Sequence, residues 1–121
     1  MTCALIVDDS RLARRISRSM LEACGVEVDE AEASASGLAR CAEKIYDFVM
    51  VDYYVSETSG LDMIRNLRRK QEYKDIPIIL CAKNADPSHV RIALKNGVNA
   101  YLNKPITEEA LRRRLKRLQM A

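Results

Sequence analysis

Short apolar runs of four to seven residues recur along this chain, separated by amphipathic stretches of 11 to 15 residues. Strands spaced so far apart cannot pair through hairpins, and crossover helices make them parallel instead. The rhythm therefore predicts βαβ units in which helices cover both faces of one sheet. The expected elements are β1 at 3–8, α1 at 10–24, β2 at 26–31, α2 at 34–45, β3 at 47–52, α3 at about 60–72, β4 at 78–82, α4 at 87–96, β5 at 99–103 and α5 at 107–119. Ser10, Ser34 and Thr107 suit N-caps, and Gly25 and Gly97 suit helix stops. β4 is wholly apolar, as a central strand is. β2 begins Val26-Glu27-Val28-Asp29, alternating and charged as an edge strand should be. The fold class is α/β, a doubly wound five-stranded parallel sheet with five helices, in one domain over residues 1–121.

Three of the apolar runs end in charge. Ala4-Leu5-Ile6-Val7 leads into Asp8-Asp9, Phe48-Val49-Met50-Val51 into Asp52, and Ala100-Tyr101-Leu102-Asn103 into Lys104-Pro105. In an open parallel sheet, ligands bind beyond the carboxyl ends of the strands. Three acids and one lysine, distant in sequence, should meet there. Like charges this close raise one another's pKa unless a cation neutralises them. Hard oxygen ligands with open positions suit Mg²⁺. Lys104 supplies a point charge for a phosphoryl oxygen, or a partner for Asp52 when the site is empty. A carboxylate in this setting can act as a nucleophile toward phosphorus. The plainer reading makes the three acids helix caps and pairs Lys104 with one of them. It suits any one of the four but not their joint placement.

At 121 residues, with 48% apolar and 31% charged, the chain is long enough to bury a core and reads as soluble. No apolar run approaches the ~20 residues of a membrane span. The start Met1-Thr2-Cys3-Ala4 lacks a basic n-region, so no signal peptide is expected and the cytoplasm is favoured. Met1 and a clean end after α5 suggest a complete chain. Cys3, Cys24, Cys41 and Cys81 form no C-x-x-C pair and read as small buried hydrophobes in a reducing compartment. The net charge of +3 is unevenly spread: residues 26–62 carry nine acids against two bases, while 10–24, 63–75 and 107–121 are each +3.

These residues carry a resemblance. The Asp8-Asp9 pair after β1, Asp52 after β3 with Gly60 eight positions later, and Lys104-Pro105 after β5 are, in order, the pattern of a response-regulator receiver domain of the stand-alone type. The resemblance covers essentially the whole chain. It implies the flavodoxin-like strand order 2-1-3-4-5. It implies that Asp52 accepts a phosphoryl group from a histidine kinase or phosphotransfer protein. Asp9 and Asp52 would ligate Mg²⁺ directly, Asp8 mainly through water, and the backbone carbonyl of Tyr54 would complete the site. Lys104 would contact the phosphoryl group and be joined to Pro105 by a cis peptide bond.

The chain also departs from that family. Counting 30 residues on from Asp52, or 22 back from Lys104, lands on Ala82, where the family has a Thr or Ser whose hydroxyl bonds a phosphoryl oxygen. Lys83 stands where a small residue is usual. It can substitute for the missing bond or obstruct the approach. Tyr101, three residues before the lysine, holds the position of the family's rotating aromatic switch. Met-Pro is replaced by Val55-Ser56. Tyr54 is bulky enough to shield a phosphoryl group from water, and its position and that of Asn84 tune phosphate lifetime in the family. Phosphorylation with a weakened switch is the expectation.

Other features carry less. In α5, Leu111, Leu115 and Leu118 make an apolar stripe and five bases fill the rest. Those bases read as a solvated face or as a binding surface. The family's output face is α4-β5-α5, so Arg91, Lys95, Arg113 and Arg117 are candidates to meet an acidic protein partner or an anionic nucleotide second messenger. Specific DNA binding is not expected, because the chain has neither a helix-turn-helix pattern nor a strongly basic balance. In α1, Arg11, Arg14, Arg15 and Arg18 read mainly as the solvent face, and α1 is where the family docks phosphodonors. His89, alone on α4, is not expected to be catalytic. Ala82 and Val55-Ser56 keep open an alternative, a degenerate receiver acting as a phosphorylation-independent interaction module. A haloacid-dehalogenase-like phosphatase would want Asp-x-Asp after β1, whereas here the acids are adjacent.

Overall fold

The computed structural model describes residues 1–55, 58–83 and 86–120. Its principal elements are β1 (Cys3–Val7), α1 (Arg11–Ala23), β2 (Glu27–Ala31), α2 (Ser34–Glu43), β3 (Phe48–Asp52), α3 (Gly60–Arg68), β4 (Ile78–Ala82), α4 (Pro87–Lys95), β5 (Ala100–Asn103) and α5 (Glu108–Arg117). The five strands form one parallel sheet in the order β2-β1-β3-β4-β5, as expected. A two-residue antiparallel ribbon, Tyr54–Val55 against Thr58–Ser59, follows β3.

Burial divides into two layers. Leu5, Val7, Val49, Val51, Ile78 and Leu80 face α2, α3 and α4, with Met63, Ile64 and Ala93 packed against them. Ala4, Ile6, Phe48, Met50, Ile79 and Cys81 face α1 and α5, whose Leu21, Leu111 and Leu115 are fully covered. Because successive strand side chains point to opposite faces, strands buried on both sides must be apolar throughout, and β1 and β4 are. β2 exposes Glu27 at the sheet edge.

Local signals account for most helix ends. The hydroxyls of Ser10 and Thr107 accept from Ala13 N and Ala110 N. Gly25 and Gly97 follow α1 and α4 at φ +80° and +92°, a conformation that favours glycine. Several boundaries shift by a residue or two, and three shifts have a visible cause. The N-cap of α2 is Ala33 rather than Ser34, and Ser36 Oγ accepts from Ala33 N at 3.2 Å to close the turn. α2 stops at Glu43 so that Tyr46, 2% exposed, can bury its ring and donate to Asp29 at 2.7 Å. α3 stops at Arg68 rather than near residue 72, and a 3₁₀ turn at Gln71–Tyr73 follows. There the fully buried Tyr73 donates to Lys44 O at 2.6 Å and accepts from Tyr46 N at 3.1 Å. Arg68 then ties this turn to β5. Its guanidinium donates to Tyr73 O at 2.7 Å, Ile76 O at 2.6 Å and Gly97 O at 2.6 Å.

The cysteines are free; Cys3, Cys41 and Cys81 are buried and Cys24 is partly so. No helix among the described residues is long and apolar enough to cross a membrane.

Candidate functional site

The carboxyl ends of β1, β3 and β5 bring four side chains together, because β1 and β5 both lie within two strands of β3. Carboxylate oxygens of Asp8, Asp9 and Asp52 all lie within 4.8 Å of one another. Lys104 Nζ bridges the group, at 2.8 Å from Asp8 Oδ2 and 2.8 Å from Asp52 Oδ1. Asp8 is buried, Asp52 half-buried and Asp9 exposed. Asp8 Oδ1 also accepts from Ser10 N at 2.9 Å, so the start of α1 helps orient it. The Lys104–Pro105 bond is cis.

Gly60 is required here by close approach. A side chain at this position would run into the backbone carbonyl of Asp52, and Gly60 N donates to Tyr53 O at 2.7 Å. The loop after β3 thereby folds back on the strand end and leaves the Asp52 carboxylate facing the cleft.

Electrostatics follow from burial. Desolvation pushes the Asp52 carboxyl above its ordinary value, and the charges of Asp8 and Asp9 add to the rise. The hydrogen bond from Lys104 opposes it without cancelling it. Burial pulls the Lys104 ammonium down, yet its bonds to Asp52 and Asp8 more than compensate, so its pKa is raised. Cys81, directly opposite Asp52 in the β3–β4 register, is held as a thiol, its pKa pushed up to about 12 mainly by burial. The donor set fits a divalent cation. Three oxygen donors of graded exposure surround an opening, and one ammonium does not balance three carboxylates.

The site opens into a cleft of about 950 Å³. Leu12, Ala13 and Ile16 of α1 line one wall with Pro105 and Ile106, and Tyr53, Tyr54, Lys83 and His89 line another. Tyr54 is 68% exposed at the rim, its ring edge-on to Tyr53 at 4.9 Å. Ala82 is buried, and its backbone O accepts from Lys104 N at 2.9 Å. The Tyr101 ring packs against the α3/α4 layer, with its hydroxyl buried and without a hydrogen-bond partner among the described residues. Val55 is fully buried. Ser56 and Asn84 lie outside the described residues.

One sequence reading needs correction. Arg14 and Arg18 are not mainly a solvent face. Both reach Glu30 on β2, and Arg14 also donates to Asp8 O at 2.7 Å, steadying the turn that carries the acidic pair. Their spacing in α1 looks like that of any exposed arginine, so only the β1–β2 pairing reveals the partner. His89, the chain's single histidine, is partly buried. It stacks on Tyr53 at 5.5 Å and an interplanar angle of 30°, forming part of the cleft wall. Arg91, Lys95, Arg113 and Arg117 are all exposed, as expected, though Arg113 is paired with Glu109 at 3.0 Å. α4 and α5 lie on opposite faces of the sheet, flanking β5, and among the described residues no contact joins the four bases.

Residues 4–116 match the family described as response regulator receiver domain, and the chain belongs to that family, the phospho-signalling receivers of two-component systems. The chain is 35% identical over 113 residues to chemotaxis protein CheY1 of Helicobacter pylori, covering 92% of this chain and 91% of that one. It is 30% identical over 115 residues to chemotaxis protein CheY-3 of Vibrio cholerae, covering 94% and 88%. Among solved structures, Vibrio cholerae chemotaxis protein CheY4 superposes with a TM-score of 0.92 at 26% identity, covering 97% of this chain and 98% of that one.

Proposed function

We propose that this domain accepts a phosphoryl group on Asp52 in a Mg²⁺-dependent reaction and signals through protein contacts at the α4-β5-α5 face. The observation that carries the reading is the convergence of Asp8, Asp9 and Asp52 around Lys104 at the sheet's carboxyl edge. Membership of the receiver family supports it. A cytoplasmic histidine kinase or phosphotransfer protein is the donor. An Asp52 carboxylate oxygen bonds to phosphorus as the donor's P–N bond breaks, and the departing imidazole nitrogen keeps the electron pair. Asp8, Asp9, Asp52 and the Tyr54 carbonyl would hold the ion, which when bound neutralises charge on the transferring group. Lys104 turns from Asp52 toward a phosphoryl oxygen, while Asp8 keeps it in place. Arg14 and Ser10 hold the β1–α1 turn so that the acidic pair does not swing away. The protein is an acceptor that assists its own phosphorylation and dephosphorylation, not an enzyme acting on other substrates. Its output is a protein partner rather than a specific DNA sequence.

Incubation with a competent phosphorylated donor and Mg²⁺ should give a shifted band that is absent in Asp52→Asn. No transfer to wild type would sink the reading.

Two observations favour a second reading, a constitutive interaction module that responds at most to an anionic nucleotide through its arginines. Ala82 brings no hydroxyl to the site, and Tyr101 packs inward on the core layer. Amide NMR with Mg²⁺ and beryllofluoride, which mimics an aspartyl phosphate, separates the two. Shifts reaching Tyr101 and α5 support the switch, shifts confined to the acidic cleft mark a phosphate sink or relay, and none supports the module.

A further inference from the structure

Lys104 is heavily committed before any phosphoryl group arrives. An ammonium has three donors, and Asp8 and Asp52 each engage this one at 2.8 Å. A phosphoryl group brings up to about two negative charges and three acceptor oxygens into a cleft already lined by three carboxylates. The side chain nearest the end of β4, Ala82, is a methyl group and offers those oxygens nothing.

The next residue is a lysine, and the strand geometry aims it at the same opening. Tyr53 N donates to Cys81 O at 2.8 Å and Lys104 N to Ala82 O at 2.9 Å, so β4 leaves the sheet held between the ends of β3 and β5. Lys83 therefore emerges between Tyr53 and Lys104. It lines the cleft that Asp52, Ala82 and Lys104 line, it is exposed, and it forms no ion pair with any other described residue. Its four-carbon stem gives the ammonium reach and rotational freedom that a serine or threonine hydroxyl lacks.

We propose that Lys83 is a second phosphoryl-contacting cation, its ammonium donating to the oxygen left unserved at Ala82. This rests on the reading of Asp52 as phospho-acceptor. A charge-assisted bond from Lys83 replaces a neutral hydroxyl bond, so stability of the phosphorylated state depends on a surface cation rather than on a side chain within the strand.

The test compares Lys83→Gln, Lys83→Arg and wild type by calorimetric titration of beryllofluoride in saturating Mg²⁺, with titration of Mg²⁺ alone as the control. Loss of a hydrogen bond to a charged group predicts about tenfold to hundredfold weaker beryllofluoride binding in Lys83→Gln. Lys83→Arg keeps the charge and should bind close to wild type. Mg²⁺ alone should bind Lys83→Gln at least as well as wild type, because a neighbouring cation has been removed. Unchanged or tighter beryllofluoride binding in Lys83→Gln would overturn this inference and leave the phospho-acceptor reading standing. Wild type that binds Mg²⁺ but no beryllofluoride would overturn both.

Discussion

Replacing Tyr101 by phenylalanine should make this protein more stable. The Tyr101 ring packs on the core layer beneath α3 and α4, and its hydroxyl is buried with no hydrogen-bond partner among the described residues. Burial also raises the pKa of that hydroxyl, as expected when the charged form has nothing to solvate it. Phenylalanine keeps the ring contacts and deletes only the stranded oxygen, recovering a desolvation penalty of about 1–3 kcal/mol. An unfolding entropy of about 2.1 cal/mol/K per residue gives roughly 250 cal/mol/K for this chain, so Tm should rise by about 4–12 °C. Thermal unfolding followed by far-UV circular dichroism, checked by urea denaturation, reads this directly. Tyr101→Ala serves as the control and should lower Tm, because it empties the space the ring fills. An unchanged or lower Tm for Tyr101→Phe would refute the reasoning, since it would mean that the hydroxyl is satisfied. The sign also bears on signalling. A ring that gains stability inside on losing its hydroxyl turns outward less readily, so the variant should show smaller amide shifts in α5 on adding beryllofluoride.

Three further outcomes test other parts of the account. Gly60→Ala places a methyl group against the Asp52 carbonyl and 3.0 Å from Val51 Cγ1. It should cost about 1–3 kcal/mol in urea denaturation and weaken beryllofluoride binding, because relief requires moving Asp52 itself. Asp52→Asn should raise Tm at neutral pH without metal. The folded-state pKa of Asp52 lies above its ordinary value, so its ionised form opposes folding once the pH exceeds that range. Mg²⁺ at a hundred times its Kd should stabilise wild type by about 2.7 kcal/mol and the variant by less, and equal responses would argue against Asp52 as a ligand. Tyr46→Phe removes the hydrogen bond that chiefly holds the Asp29 carboxyl below its ordinary value of 3.8. That contribution is complete above 3.8 and lost as pH falls through the lower folded-state pKa. The variant should therefore be about 1 kcal/mol less stable at neutral pH, and the gap should close in acid unfolding measurements.

Strand order came from the resemblance to receiver domains, while the two helical layers and the meeting of Asp8, Asp9, Asp52 and Lys104 were legible in the residues themselves. Both of these depend on short-range patterns: apolar runs of strand length, amphipathic helices, caps, and charges placed one step beyond a strand. A parallel sheet turns those local facts into a site because it gathers its carboxyl ends on one edge. The C-terminal ends of α2 and α3 were misplaced where a distant side chain competes with local propensity. Residues 60–72 carry a helical pattern, but burying Tyr73 beside Tyr46, 27 positions away, pulls the chain out of the helix after Arg68. Arg14 was misread for the same reason. The partners of Arg14 are Glu30 across the β1–β2 pairing and the backbone of Asp8. Charge and periodicity along one helix do not reveal a hydrogen bond to another strand. Such contacts exist only once the sheet has set which elements are neighbours, and only the folded chain shows them.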